Sequence, residues 1–212
     1  MPNHVTNIIT APKLVIEAIA RGYTSEEIHS FKDEIEELRE RDLTEWFTAE
    51  RKESALKSRE ATAVEMLTKK IADFNMVIPQ PVNIETGGCS MQHEEGVICW
   101  YQWNPGNWGT KWNAYDTSLE AKENGLTELR FDTAWSHPYP VLEKLSKMFP
   151  NVLIQVSYAD EDLGYNFGQY AIKNGERSDL LGIGEGSYEA KDFAAQIKYG
   201  KTCAEQQKEW EA

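Results

Sequence analysis

Between Thr24 and Phe74 apolar residues recur at helical rather than strand spacing, and no other stretch restricts the fold as much. Ile28, Phe31, Ile35, Leu38 and then Trp46 fall on one stripe; Leu56, Val64, Leu67, Ile71 and Phe74 fall on a second, with charges between. Thr24 and Glu27 stand at capping-box spacing and open the first helix. Two such stripes predict an αα-hairpin or, since neither Gly nor Pro marks a turn, one long bent helix. Packing in a core is the expectation for these side chains, ahead of a groove for a partner.

Charge divides sharply inside this segment. Residues 26–50 carry ten acidic and three basic side chains, a net of −7, while residues 51–70 carry six basic and three acidic, a net of +3. Antiparallel helices would bring the halves together and partly neutralise them. Otherwise the first helix is an exposed negative rod. Over the 212 residues the net charge is −13, which argues against direct contact with nucleic acid or anionic lipid, because phosphate binding needs clustered positive charge.

The remainder alternates strands, turns and short helices. His4–Thr10 predicts a strand, 12–19 a short helix closed by Gly22 at positive φ, and Val97–Trp103 a β-rich aromatic strand. Leu129, Phe131, Thr133 and Trp135 alternate as a half-buried strand should. Residues 140–148 predict a helix, Val152–Tyr158 and Tyr165–Lys173 strands, and Asn174-Gly175 a two-residue hairpin turn. A last helix is expected over Tyr188–Lys198, with a fraying polar tail after Gly200. The class is therefore α+β: one domain over 1–212, its antiparallel sheet backed by helices, with a helical insertion at 24–74 and an extra C-terminal hairpin and helix. The order approaches the β-α-β-β-α-β of ferredoxin-like folds.

Certain blocks are distinctive. Met1-Pro2-Asn3 with Asn7 opens the chain, and Ile78-Pro79-Gln80-Pro81 follows the helices. Asn107-Trp108-Gly109-Thr110-Lys111-Trp112-Asn113 lies mid-chain, followed by Phe131-Asp132-Thr133-Ala134-Trp135-Ser136 and Phe149-Pro150. With Tyr158 and the Gly164–Gly168 stretch, these resemble the YubB-like ferredoxin-like proteins of phages and conjugative plasmids, over the N-terminus and roughly residues 75–182. The resemblance implies a ferredoxin-like fold and a mobile-element origin, and it carries no activity and no catalytic residues. His4 and Val5 depart from the usual aromatic and Cys, and the helical insertion has no counterpart.

Chemistry-bearing residues are sparse. His4, His29, His93 and His137 are scattered, and Cys89 with His93 falls short of a zinc site. Gly182-Ile183-Gly184-Glu185-Gly186 lacks both the GK[ST] end and the GxGxxG spacing of phosphate loops. Asp160, Glu161 and Asp162 do not have calcium-loop spacing. No catalytic residue, metal site or cofactor is expected. Cys89, Cys99 and Cys203, odd in number and without an export signal ahead of them, are expected to be reduced thiols in a bacterial cytoplasm. No apolar run approaches the roughly 20 residues of a membrane span.

Trp100, Tyr101, Trp103, Trp108, Trp112 and Tyr115 are crowded together. Trp108, Trp112 and Trp135 are expected to be mostly buried behind the sheet. The competing reading makes Trp103, Trp108 and Trp112 a platform for stacking bases. Together these features predict a non-enzymatic accessory protein that inhibits a host protein with a basic, nucleic-acid-binding surface, such as a CRISPR effector or restriction factor. The contacting residues would be Glu34, Glu37, Asp42 and Glu45 on the acidic helix. A nucleic-acid or nucleotide-binding module, and an enzyme with an unrecognised site, are the alternatives.

Overall fold

The computed structural model describes residues 3–87, 96 and 98–210, without the side chains of 207, 209 and 210. The chain forms two compact units, one of residues 1–20 with 72–212 and one of residues 21–71. In chain order the elements begin with β1 (His4–Pro12), α1 (Lys13–Glu17) and β2 (Ala20–Gly22), followed by the helices α2 (Ser25–Glu40) and α3 (Ala49–Met66). Three short strands come next: β3 (Lys70–Ala72), β4 (Ile84–Glu85) and β5 (Ile98–Cys99). After α4 (Trp100–Asn107) come β6 (Tyr115–Ala121), β7 (Leu126–Ala134), α5 (Tyr139–Met148), β8 (Ile154–Asp160), β9 (Phe167–Lys173) and β10 (Glu176–Asp179). Helices α6 (Tyr188–Tyr199) and α7 (Cys203–Trp210) end the described chain.

The larger unit is built on an antiparallel sheet of six strands in the order β10-β9-β8-β1-β7-β6. Within it, β1-α1-β6-β7-α5-β8 reproduces the ferredoxin-like β-α-β-β-α-β order. Alternation fixes the faces: Ile9 and Ala11 of β1, Leu129 and Phe131 of β7, and Ile154 and Val156 of β8 all point into one core. Val15, Ile16 and Ile19 in and after α1, with Val141, Leu142 and Leu145 of α5, close that core from the helix side, with Phe74 and Trp108. Arg130, between Leu129 and Phe131, points to the other face. There it donates to the carbonyls of Ile197 and Lys198, each at 2.7 Å, the C-terminal end of α6 where positive charge is favoured. Asn174 (φ 51°) and Gly175 (φ 81°) make the expected hairpin turn between β9 and β10.

The smaller unit is a helical hairpin. Thr24 and Glu27 form the capping box of α2, Thr48 caps α3, and the short strands β2 and β3 pair at the base. The helices run antiparallel: Arg59 pairs with Glu34 at 2.8 Å, Arg39 bonds both Glu36 and Glu60, and Lys52 donates to the carbonyl of Arg41. Such exposed pairs are worth about 0–1 kcal/mol each.

Several expectations are corrected. Helix α2 stops at Glu40, so Trp46 lies in the connection and is exposed; Val64 and Leu67, counted on the second stripe, are also exposed. Gly22 lies in β2 and not at a left-handed helix end. The segment 97–103 is mostly helix α4, and the sheet's outer strand is instead β6. Residues 203–210 are helical where a fraying tail was expected. Cys99 is disulfide-bonded, against the expectation of reduced thiols, whereas Cys203 is free; spacing along the chain does not reveal which thiols approach within bonding distance. Cys89, His93 and most of the 85–96 loop lie outside the described residues.

Candidate functional site

Two surfaces and one buried network hold the candidate side chains. On the helical hairpin, Glu34, Glu37, Asp42 and Glu45 are all exposed. They do not share one helix: Glu34 and Glu37 belong to α2, while Asp42 and Glu45 lie in the 41–48 connection. Glu34 is held by Arg59, whereas Glu37, Asp42 and Glu45 have no ion pair among the described residues. Glu34, Glu37, Glu40 and Asp42 border a shallow depression with Leu38, Arg41 and Arg59. The connection is well tied. Thr44 and Phe47 exchange backbone hydrogen bonds at 3.1 Å, Arg41 stacks 4.9 Å from the Phe47 ring, and Arg51 donates to the Trp46 carbonyl at 2.7 Å. These bonds leave the Trp46 indole 78% exposed.

The second surface lies at the end of the sheet where β7 finishes. Trp108 is not part of it: at 1% exposure it is core, donating to the Ile78 carbonyl at 2.8 Å, with Trp103 edge-on against it at 5.4 Å. The platform read as Trp103, Trp108 and Trp112 is thus corrected, because Trp108 is core and Trp103 is half-buried against it. Trp112 and Trp135, expected to be buried, are 37% and 38% exposed, and Tyr101 on α4 is 45% exposed. The Lys111 ammonium stands between these three rings, 5.5 Å from Tyr101, 5.0 Å from Trp112 and 4.9 Å from Trp135, within cation–π range of each. Its backbone N–H donates to the Ala134 carbonyl at 3.1 Å, joining the NWGTKWN and TAWS blocks. Tyr115 packs edge-on to Trp112 and is hydrogen-bonded to His4 Nδ1 at 2.6 Å. Burial and the charges of Asp132, Asp116 and Glu161 push its phenol up.

The buried network centres on His137, which the sequence left as one of four scattered histidines. Its Nδ1 meets Asn7 Oδ1 and its Nε2 meets the Tyr170 hydroxyl, both at 2.7 Å, and the ring stacks on Tyr158 at 4.2 Å. Asn7 donates onward to the Val5 carbonyl and to Thr133 Oγ1. Burial, with the nearby Arg177 charge, holds the imidazole down at about 3. The Asp160 carboxylate is used internally, accepting from Asn3, Asn166 and the Asp162 N–H. Gly182–Gly186 leads into the Ser187-capped start of α6. Among the described residues no cluster of three or more His, Cys, Asp or Glu is gathered as a metal would require, and no helix is long and apolar enough to cross a membrane.

A search of curated proteins found no match. The crystal structure of protein Api92 from Yersinia pseudotuberculosis is similar in fold, with a TM-score of 0.52 at 12% identity, covering 89% of this chain and 100% of that one. Residues 108–208, which carry α5 and the sheet strands β6 to β10, match the family model of the ferredoxin-like domain in Api92-like protein.

Proposed function

We propose that the chain is a non-enzymatic accessory protein of phage or plasmid origin that acts in the bacterial cytoplasm. It binds and inhibits a host protein through the connection end of its helical hairpin. The observation that carries this reading is Trp46, 78% exposed beside the unpaired carboxylates Asp42 and Glu45. Leaving a tryptophan in water gives no folding benefit, and tryptophans ringed by polar groups dominate the energetics of protein interfaces. The neighbouring carboxylates, with Glu37, select a basic partner surface and speed its approach. A groove built for nucleic acid has that charge, as in a CRISPR effector or restriction factor. Glu34 contributes less, since Arg59 already offsets its charge.

The test combines Asp42→Lys, Glu45→Lys and Trp46→Ala. All three side chains are solvent-exposed, so unfolding stability should change by no more than about 0.5 kcal/mol. Host proteins captured from a bacterial lysate by the unaltered chain should be lost by the triple variant, and the unaltered complex should weaken as salt rises. Capture of the same proteins with the same salt profile by both would refute the reading.

A further inference from the structure

The two most distinctive blocks of the sequence meet at the end of β7, and most of their residues have an evident structural role. In Asn107–Asn113, Asn107 donates to the Trp103 carbonyl and Trp108 fills the core. Gly109, at φ +78°, lies where a Cβ would meet Pro140 at 2.9 Å. Thr110 bonds the Trp112 carbonyl, and Asn113 accepts from the Phe74 N–H while donating to Asp73. In the second block Thr133 and Ala134 are buried. The side chains of Lys111, Trp112 and Trp135 instead meet one another at the surface, Trp112 and Trp135 with 37% and 38% of each residue exposed.

Trp135 is the most telling of them. Its φ is +77°, a left-handed conformation that is strained for a bulky residue. The backbone is held there by its N–H to the Asn3 carbonyl at 2.9 Å and by Asn166 donating to its own carbonyl at 3.2 Å. Packing recovers the strain only in part, since 38% of the residue stays exposed. What it achieves is to aim an indole at Lys111, opposite Trp112 and edge-on to Tyr101 at 5.6 Å. The result is a set of rigid π faces around one cation.

We propose that this surface binds a nucleobase carrying a single phosphate, with the base stacked on Trp112 or Trp135 and the phosphate paired with Lys111. Stacking is available to any base because every base has a π face, and the ammonium supplies the one anion contact. The carboxylates of Asp116, Asp132 and Glu161 act on Tyr115, one ring beyond Trp112. They limit the ligand to one phosphate near Lys111 and disfavour a long strand, which would need a continuous positive track. This site is independent of the hairpin surface proposed above.

Titration of tryptophan fluorescence with the four ribonucleoside monophosphates, the matching nucleosides and single-stranded oligonucleotides of increasing length tests the assignment. Monophosphates should quench and saturate in the millimolar range or below, more tightly than nucleosides. Trp112→Ala and Trp135→Ala, each checked for folding by circular dichroism, locate the stacked ring: the one that carries the base should weaken binding roughly 5- to 150-fold. Lys111→Met should remove the preference for the monophosphate while nucleoside binding persists, which a merely structural lysine would not produce. Affinity that does not rise with oligonucleotide length would identify a free nucleotide as the source. Affinity that rises with length and falls with salt would contradict a single-phosphate site and point to a strand-binding surface instead. No quenching by any of these ligands, affinity unchanged in both Trp112→Ala and Trp135→Ala, or an unchanged monophosphate preference in Lys111→Met would overturn the proposal.

Discussion

Replacing Trp108 with alanine is expected to destabilise the ferredoxin-like unit by about 3–5 kcal/mol, a large share of the roughly 5–15 kcal/mol that holds a typical domain folded. The indole is completely enclosed, packs edge-on against Phe74 and Trp103, and donates to the Ile78 carbonyl. Removing it opens a cavity between α4 and the sheet and also leaves the part-buried Ile78 carbonyl without its donor. Trp108→Phe keeps most of the apolar volume and loses the hydrogen bond, so its cost should be smaller, about 1–3 kcal/mol. Trp112→Ala should cost less than Trp108→Ala, about 1–2 kcal/mol, since 37% of that residue is already in solvent. Urea unfolding of the three variants checks the order. Where Trp108→Ala is insoluble while Trp112→Ala folds, that contrast itself separates core from surface. Equal losses at the two positions would contradict the burial of Trp108.

The contrast between these tryptophans marks where sequence reasoning stopped. Alternation along Leu129, Phe131 and Thr133 identified a strand and its inward face, and Asn174-Gly175 identified a hairpin, because both signals are local. The alternation also assigned Trp135 inward. It could not register that the chain leaves the strand at Ala134 and turns through positive φ. Composition made Trp100–Trp103 look like strand, since aromatics favour pleated, half-buried surfaces. Here tertiary packing of Trp103 and Trp108 holds the segment as helix, even with Pro105 inside it. Strand β6 was invisible for the opposite reason. At the edge of the sheet it has Thr117 as its one buried residue, so no apolar alternation exists to be read, as is common for edge strands that discourage further pairing.

The hairpin repeats the lesson with charge. The net of −7 over residues 26–50 was countable, but which carboxylates were already paired was not. Glu34 and Arg59 are 25 residues apart and meet only because the helices are antiparallel. Helical spacing, extended eight residues past Leu38, placed Trp46 on a stripe that had already ended at Glu40. That error concealed the residue on which the interface proposal now rests.

Acidification from pH 7 to 5 should lower the stability of the larger unit through His137. The hydrogen bonds fix its neutral form. Asn7 Nδ2 already donates twice, so Oδ1 accepts and Nδ1 must carry the proton. Nε2 is then left to accept from the Tyr170 hydroxyl. A second proton would turn Nε2 into a donor, take from the Tyr170 hydroxyl proton its acceptor, and bury a positive charge in a site with the Arg177 guanidinium 4.2 Å from the Tyr170 ring. The folded state therefore resists protonation down to about 3, while the unfolded histidine takes a proton near its ordinary 6.5. Stability is thus fully present above 6.5 and falls with pH until 3, where the folded state also protonates. The loss attributable to His137 is about 2 kcal/mol at pH 5 and approaches a limit of about 5 kcal/mol below pH 3. Exposed carboxylates add an acid dependence of their own, so the measurement is a difference between two proteins. His137→Gln retains a donor and an acceptor but does not titrate in this range. It should be less stable than the parent at pH 7, yet lose less on going from pH 7 to 5, by about 2 kcal/mol. Parallel stability curves for parent and variant over that interval would show that His137 is not held neutral by this network.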